Sequence, residues 1–453
     1  MLYEELDDRF GRRKKRTVIF GMAGGTPPTP PTPPTPSVLE EKALNFYDFE
    51  GTLVASYDAD EIAGLTELPE PPDHSADEVP LTFEEWNWTL EEIKEYHADM
   101  PEATIIVGAT YHPTDGKLHL IVETFVDNYL DPIQLSFPGG AQIDWGDGTS
   151  SSASDGSAVS HYYEQKGRYH ITVTTEATYF SITKTANLLP KEAYIPRVIT
   201  DIYGVFKDCP LLEKVVVPSS VTNLGTSSNG GFANCSSLKT IILPRSLTEV
   251  SKSSMSNCYS LRVLSLPPTI SSIGYSAIEG CHSLRKITMP KGLLSLGNYA
   301  VQNSGITEMS LPSLLTSISQ NCFYNNTILR KINIPAGIRE ILRNAFAQCT
   351  SLEQFELNEG LETIGYAAFS GVRSLQTITI PSTVTSIEDN AFGYAYCLAT
   401  VTVLATTPPT LGGTNAFYRS GIKKIYVPAE SVEAYKSATN WAYYASKIEA
   451  IPA

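Results

Sequence analysis

The chain has 453 residues, 42% hydrophobic and 10% aromatic, with a net charge of −16; this suits folded domains and excludes a disordered polyelectrolyte. The length predicts about three domains, and no window nears the ~18 consecutive apolar residues of a membrane span. Charge is uneven: residues 1–25 carry +2, residues 26–187 carry −22 and residues 188–453 carry +4, which argues against nucleic acid as a partner.

In residues 1–25 a basic cluster, Arg12, Arg13, Lys14, Lys15 and Arg16, precedes a short apolar run. A cleaved leader has that order, but four acids stand ahead of the cluster and the apolar run is weak. The segment is read as an anchoring tail whose cations meet acidic groups of a virion or cell-surface assembly; a homo-oligomer is compatible with the same layout. Residues 26–37 repeat Thr-Pro-Pro, and eleven such residues at ~3.1 Å each make a semi-rigid polyproline II linker of about 34 Å. The order suggests a stalk that holds the later domains away from the tail.

Residues 38–126 are predicted to form a small acidic α+β domain. Leu44 to Ser56 reads as two strands around Gly51, and Thr89-Leu-Glu-Glu92 is a capping box opening a helix toward His97. Ile105–Ala109 and Leu118–Val122 read as strands flanking the turn Pro113-Thr-Asp-Gly116. Asp48-Phe-Glu-Gly-Thr-Leu53 imitates the Asp-x-Asp-Gly-Thr loop of haloacid-dehalogenase phosphatases. Glu50 replaces the second aspartate, however, and too few residues follow for that enzyme's sheet, so a hairpin turn is expected and no catalytic residue is assigned.

Residues 127–187 alternate strand and turn. They carry Trp145-Gly-Asp-Gly148, His161-Tyr-Tyr163 and Gly167-Arg-Tyr-His-Ile-Thr-Val173, and at these residues the segment resembles a PKD domain, an Ig-like β-sandwich serving as spacer or adhesion module. Asp144, Asp147 and Asp155 could gather calcium, but in such turns carboxylates more often accept backbone N–H bonds, so no metal is assigned. His161 is expected to pack within the sandwich.

From Phe206 onward one sentence recurs: an aromatic or apolar residue, Cys three later, Leu three after that, then apolar-x-apolar-Pro. Its first position falls at 206, 232, 255, 278, 301, 323, 346, 369, 392 and 417, a repeat period near 23 that implies a solenoid. Each unit offers one short strand, such as Thr240-Ile-Ile-Leu243, whose Ile241 and Leu243 point inward, and stacked units bury a core that no single repeat could. Cys209, Cys235, Cys258, Cys281 and Cys349 share one repeat position and predict a ladder of buried thiols, with Cys322 and Cys397 outside it. Asn358 and Leu404 stand where the proline is expected.

This pattern, with Ile364-Gly-Tyr-Ala-Ala-Phe369, resembles the BspA-type leucine-rich repeats of bacterial and phage-encoded surface proteins. The resemblance covers about residues 195–453, including a closing strand and helical cap from Val427 to Trp441, and implies adhesion. A looser resemblance, resting on domain order, Asn45 to Leu53 and Trp86-Asn-Trp-Thr89, is to structural proteins of gut phages. The fold class is therefore multidomain and β-rich: a small α+β domain, an Ig-like PKD-type sandwich, and a leucine-rich-repeat solenoid over residues 188–453.

Just after each repeat leucine stand Lys214, Lys239, Arg262, Arg285, Lys286, Arg330, Lys331, Lys423 and Lys424. They are the candidate ligand-binding residues, a basic ladder for bacterial surface polysaccharide or protein, weighed against a solvated edge that discourages strand pairing. The seven histidines show no metal spacing, and no cofactor is expected. The chain is thus expected to be a non-enzymatic surface-binding protein: a virion fibre or decoration protein, with a bacterial cell-surface adhesin as the alternative.

Overall fold

A computed structural model describes residues 40–127, 131–183, 189–225 and 230–452. The basic cluster Arg12 to Arg16 and the Thr-Pro linker lie outside the described residues. Among the described residues no helix is long and apolar enough to cross a membrane.

The α+β domain has four strands: β1 (Leu44–Tyr47), β2 (Leu53–Tyr57), β3 (Leu81–Trp86) and β4 (Ile105–Pro113), in the order β2-β1-β4-β3. Its short helix α1 is Ala59–Ile62 and its longer helix α2 is Leu90–Asp99. The capping box forms as the sequence implies, with Glu92 N donating to Thr89 Oγ1 at 3.2 Å and Thr89 N donating to Glu92 Oε2 at 2.8 Å. Phe46, Trp86, Trp88, Ile93 and Tyr96 fill the core beneath.

The next strand, β5 (Leu118–Thr124), does not pair with β4 across the Pro113–Gly116 turn. It lies between β10 (Gly167–Thr174) and β12 (Glu192–Tyr194), both antiparallel to it. Side-chain alternation explains this, because Leu118, Leu120 and Val122 enter the sandwich core while Ile121 faces the α+β core. The sandwich comprises β6 (Ile133–Ser136), β7 (Ala141–Asp144), β8 (Ser150–Ala153), β9 (Ala158–His161) and β11 (Ser181–Ile182) together with β5 and β10. Its two sheets have the orders β13-β12-β5-β10-β7-β8 and β11-β6-β9, where β13 is Lys214–Val216. Trp145 is fully buried, His161 stacks on it at 4.7 Å, and Tyr163 donates to its carbonyl at 2.8 Å.

One sheet therefore runs from the sandwich into the solenoid: β12 pairs antiparallel with β5 on one side and parallel with β13 on the other. The apolar core is correspondingly unbroken from Leu118 to Ile448. The solenoid's first rung takes its hydrogen bonds from the sandwich, so that edge is not left open.

Later rungs follow the repeat. Parallel strands at β14 (Thr240–Ile242), Val263–Ser265, Glu308–Ser310, Lys331–Asn333, Thr377–Ile380, Thr400–Val403 and Lys424–Val427 form the long face. Phe323, Phe346, Phe369, Phe392 and Phe417 stack at centroid separations of 5.2, 5.3, 5.3 and 5.6 Å, as a strand spacing near 4.8 Å requires. The cysteine ladder follows the same repeat position, with the Cys235, Cys258, Cys281 and Cys349 thiols within 3.0 to 3.3 Å of a carbonyl one rung back. Cys322 is also buried, because it occupies the small-residue position held elsewhere by Ala345, Ala368 and Ala391; Cys397 alone is exposed. The residue before each ladder cysteine turns left-handed, with φ between 60° and 63° at Asp208, Asn234 and Asn257. Asparagine tolerates that turn, and Asn257 Nδ2 donates to Asn234 Oδ1 at 2.9 Å to tie successive rungs. At the far end α3 (Val432–Ser437) and Trp441 close the core, the indole donating to Pro409 O at 2.8 Å.

Candidate functional site

On a two-residue strand period, the residues between the inward ones face outward. In the early rungs those outward positions hold Val216, Ile242, Val263, Ser265 and Thr288, and all five are buried. The α+β domain covers them. Tyr47 and Ile106 pack on Ile242 and Val263, and Val216 joins the domain's own core. Gly108 lies so close that a Cβ would stand 2.5 Å from Ile242 Cδ1, and one at the Gly51 turn would stand 2.3 Å from Thr240 Oγ1.

Polar groups buried in this contact are matched. Asn87 Nδ2 donates to Leu243 O and to Ser265 Oγ, each at 2.9 Å, while its Oδ1 accepts Gly108 N at 2.8 Å. Ile106 N donates to Thr288 Oγ1 at 2.7 Å, the Thr288 hydroxyl donates to Thr104 O at 2.9 Å, and Trp88 Nε1 donates to Leu266 O at 2.8 Å. Leaving any of these groups unpaired costs about 1–3 kcal/mol. Around the rim six carboxylates of the acidic domain meet solenoid cations: Glu41 with Lys286, Glu50 with Lys214, Glu84 with Arg197, Glu92 with Arg245, Asp99 with Lys291 and Glu102 with Lys331. Exposed pairs contribute about 0–1 kcal/mol each, against about 1.5–3 for a buried aliphatic side chain. Apolar burial and Asn87 therefore hold the contact, and the ion pairs fix its register.

Burial works against Glu92 ionising, yet the Arg245 guanidinium and the Thr89 cap hold its carboxyl below the ordinary value. The Lys331 ammonium does the same for exposed Glu102.

This geometry redistributes the basic ladder. Lys214, Lys286 and Lys331 are engaged by the acidic domain, Lys239 pairs with Glu213 at 2.8 Å and Lys424 with Glu449 at 2.6 Å. Arg285 donates to the carbonyls of His282 and Gly305 at 2.6 and 3.1 Å. Among the described residues Arg262, Arg330 and Lys423 form no ion pair. Nor does the acidic domain extend as a stalk with the solenoid as its tip; it lies along the solenoid's own sheet. The signal for this was legible: Ile242 and Val263 are apolar at positions that alternation sends outward.

Beyond Thr288 the outward face changes character and, past the Glu102–Lys331 rim contact, is uncovered. Glu308, Asn333, Gln354, Glu356, Thr377 and Thr379 are exposed, Thr400 and Thr402 half-buried. Thr377 lies in register with Thr400 and Lys424, and Thr379 with Thr402 and Tyr426. The result is a flat, polar, β-branched surface that can supply hydroxyl, amide and carboxylate groups at a regular spacing.

The other motifs resolve as turns. Asp48 Oδ1 accepts Glu50 N and Thr52 N at 2.9 and 2.8 Å, with Gly51 at φ 84°. Asp144 accepts Gly146 N at 2.9 Å, Asp147 accepts Thr149 N at 2.9 Å and Asp155 accepts Gly139 N at 2.6 Å.

Comparison with known proteins adds the family. The model of the PKD domain matches residues 135–189, and that of the BspA type leucine-rich repeat region matches residues 202–330 and 316–448 in six copies. A search of curated proteins gives no match. Among solved structures, a leucine-rich repeat protein of Bacteroides ovatus is 19% identical, over 54% of this chain and 68% of that one, with a TM-score of 0.39. A leucine-rich cell surface protein of Faecalibacterium prausnitzii is 20% identical, over 57% and 82%, with a TM-score of 0.34. A leucine-rich repeat protein of T. pallidum is 20% identical, over 45% and 85%, also at 0.34. With the repeat model spanning more than half of the sequence and a PKD domain ahead of it, the chain belongs to the BspA-type leucine-rich repeat family.

Proposed function

We propose that this chain is a non-enzymatic binding protein of a bacterial cell surface, an adhesin of the BspA type, which meets its target through the open part of the solenoid sheet. The observation that carries the reading is the division of the outward face: largely apolar and sealed by the chain's own domain as far as Thr288, polar and, past the Glu102–Lys331 rim contact, open from Asn333 onward. A surface that buries its apolar positions internally and leaves a wide polar stretch open is suited to a reversible, hydrated contact. Family membership supports the bacterial adhesin over the virion fibre, because it rests on the repeats, while the resemblance to phage structural proteins rests on domain order and two short motifs outside them.

Adherence of the labelled chain to intact bacterial and host cells tests this. Thr377→Arg with Thr379→Arg, two exposed substitutions expected to leave folding intact, should lower adherence about tenfold or more by breaking complementarity at the centre of the contact. Undiminished adherence in that variant would remove the open sheet from consideration.

A further inference from the structure

Most lysines on the long face are answered by carboxylates, but the arginines at the adjoining corner are not. Between Glu362 and Glu430 the acids are Glu388 and Asp389 alone, while the cations are Arg373, Arg419, Lys423 and Lys424. Both acids are committed, Glu388 accepting Tyr366 N at 2.8 Å and Asp389 accepting Asn415 N at 3.1 Å. Among the described residues Arg373 and Arg419 form no ion pair. Each instead lies over a tyrosine, Arg373 at 5.7 Å from the Tyr396 centroid and Arg419 at 5.3 Å from that of Tyr418.

Tyr394 joins the two rings, edge-on to Tyr396 at 6.3 Å and to Tyr418 at 5.5 Å. The repeat places them together, since Tyr394 N donates to Tyr418 O one rung on at 2.7 Å. Tyr396 is 51% and Tyr418 39% exposed, a large outlay of aromatic surface on an edge where solubility alone would favour small polar residues.

We propose that this corner, Tyr394, Tyr396 and Tyr418 with Arg373 and Arg419, is a binding site for a saccharide that carries a carboxylate. Exposed tyrosine rings offer flat faces for the C–H side of a sugar ring and hydroxyls for its rim. A guanidinium presents a planar fork that matches a carboxylate with two parallel hydrogen bonds. A stretch whose two acids are already held by backbone N–H groups, and whose Arg373 and Arg419 form no ion pair, selects an anionic ligand. A protein partner is less well served: from Tyr366 to Lys424 the exposed large apolar residues are Tyr396, Leu404 and Tyr418, with no aliphatic cluster to form a dry interface core.

The proposal deepens the adhesin reading by naming a ligand class, and two measurements separate their fates. In calorimetric titration of the full chain, a hyaluronan tetrasaccharide and sialyllactose represent uronate and sialic acid sources, with lactose as the neutral control. At least one charged sugar should bind about tenfold or more tighter than lactose. Arg373→Gln with Arg419→Gln should bring it to the lactose level, and Tyr396→Ala with Tyr418→Ala should abolish binding of both; all four positions are exposed, so melting should be unchanged. Equal affinity for charged and neutral sugars, no binding of either charged sugar, unaltered affinity in the arginine variant, or displacement of the sugar by stoichiometric polyglutamate would each overturn the site. In cell adherence, a wild type that adheres beside an arginine variant that adheres equally sinks this site and leaves the adhesin reading standing. A wild type that binds the charged sugar yet adheres to no cell sinks the adhesin reading and keeps the site.

Discussion

Gly108 shows how tightly a single position is held by a contact far away in sequence. Its Cβ would stand 2.5 Å from both Ile242 Cδ1 and Ile242 Cγ2, so Gly108→Ala should destabilise by about 1–3 kcal/mol through overpacking. Ile242→Ala makes room, and in a double-mutant cycle by urea unfolding the pair should show a coupling of about 0.5–3 kcal/mol; a coupling near zero would mean that the two residues do not meet in solution. Asn87 is the polar counterpart. Asn87→Ala strands Gly108 N and Leu243 O in a buried contact, with an expected loss of about 2–3 kcal/mol. Asp144 and Asp147 were readable as backbone acceptors from the motif alone, because an Asx turn is a local interaction. Asn87 was not: its partners lie 156 and 178 residues away, and nothing local marks it.

At the scale of elements, the repeat predicts its own packing. Phe369 stacks between Phe346 and Phe392 at 5.3 Å on each side and touches Phe355 at 5.1 Å, so Phe369→Ala should cost about 3–5 kcal/mol, read from denaturant midpoints. The cysteine ladder gives a chemical check. Burial pushes the Cys281 and Cys349 thiols up to about 12, leaving almost no thiolate at neutral pH. Iodoacetamide on the native chain should therefore modify Cys397 and spare the six buried thiols, with mass spectrometry of the peptides as the readout. Modification of Cys322 in folded protein would contradict its burial at the small-residue position before Phe323. Strand β5 forms where the sequence places it, but its partner differs: the turn before it has good hairpin chemistry, yet Leu118, Leu120 and Val122 had a larger apolar surface to join in the sandwich.

For the whole molecule, the division of charge along the chain becomes a division across a contact. Glu92 and Glu102 have carboxyls held below their ordinary value of 4.5 by Arg245 and Lys331. A depressed carboxylate contributes stability that is complete above its unfolded pKa and is lost as pH falls through its folded one. Docking should accordingly weaken below about pH 4.5. Asp48 and Glu85, raised mainly by desolvation, act in the opposite sense, relieved on protonation at low pH. The expected net outcome, since more ion pairs span the contact than stranded acids, is faster hydrogen exchange in β4 at pH 4 than intrinsic rates allow for, with the Phe346 to Phe392 rungs unaffected. Uniform protection of β4 at both pH values would show that the rim pairs do not set the contact.

The sequence by itself determined the period near 23, the stacked phenylalanines, the buried thiols and the sandwich motif. Each of these arises from interactions between neighbours in the chain or between equivalent positions of adjacent repeats, and a repeating pattern records them directly. Tertiary structure alone decided which part of the solenoid sheet is free. The lysines of the basic ladder have the same local setting from Lys214 to Lys424, and only the fold of a domain more than a hundred residues earlier brings Glu41, Glu50 and Glu102 onto three of them. It decided the tyrosine and arginine corner for the same reason: ring faces and guanidinium groups from successive rungs become one surface only when the rungs are stacked.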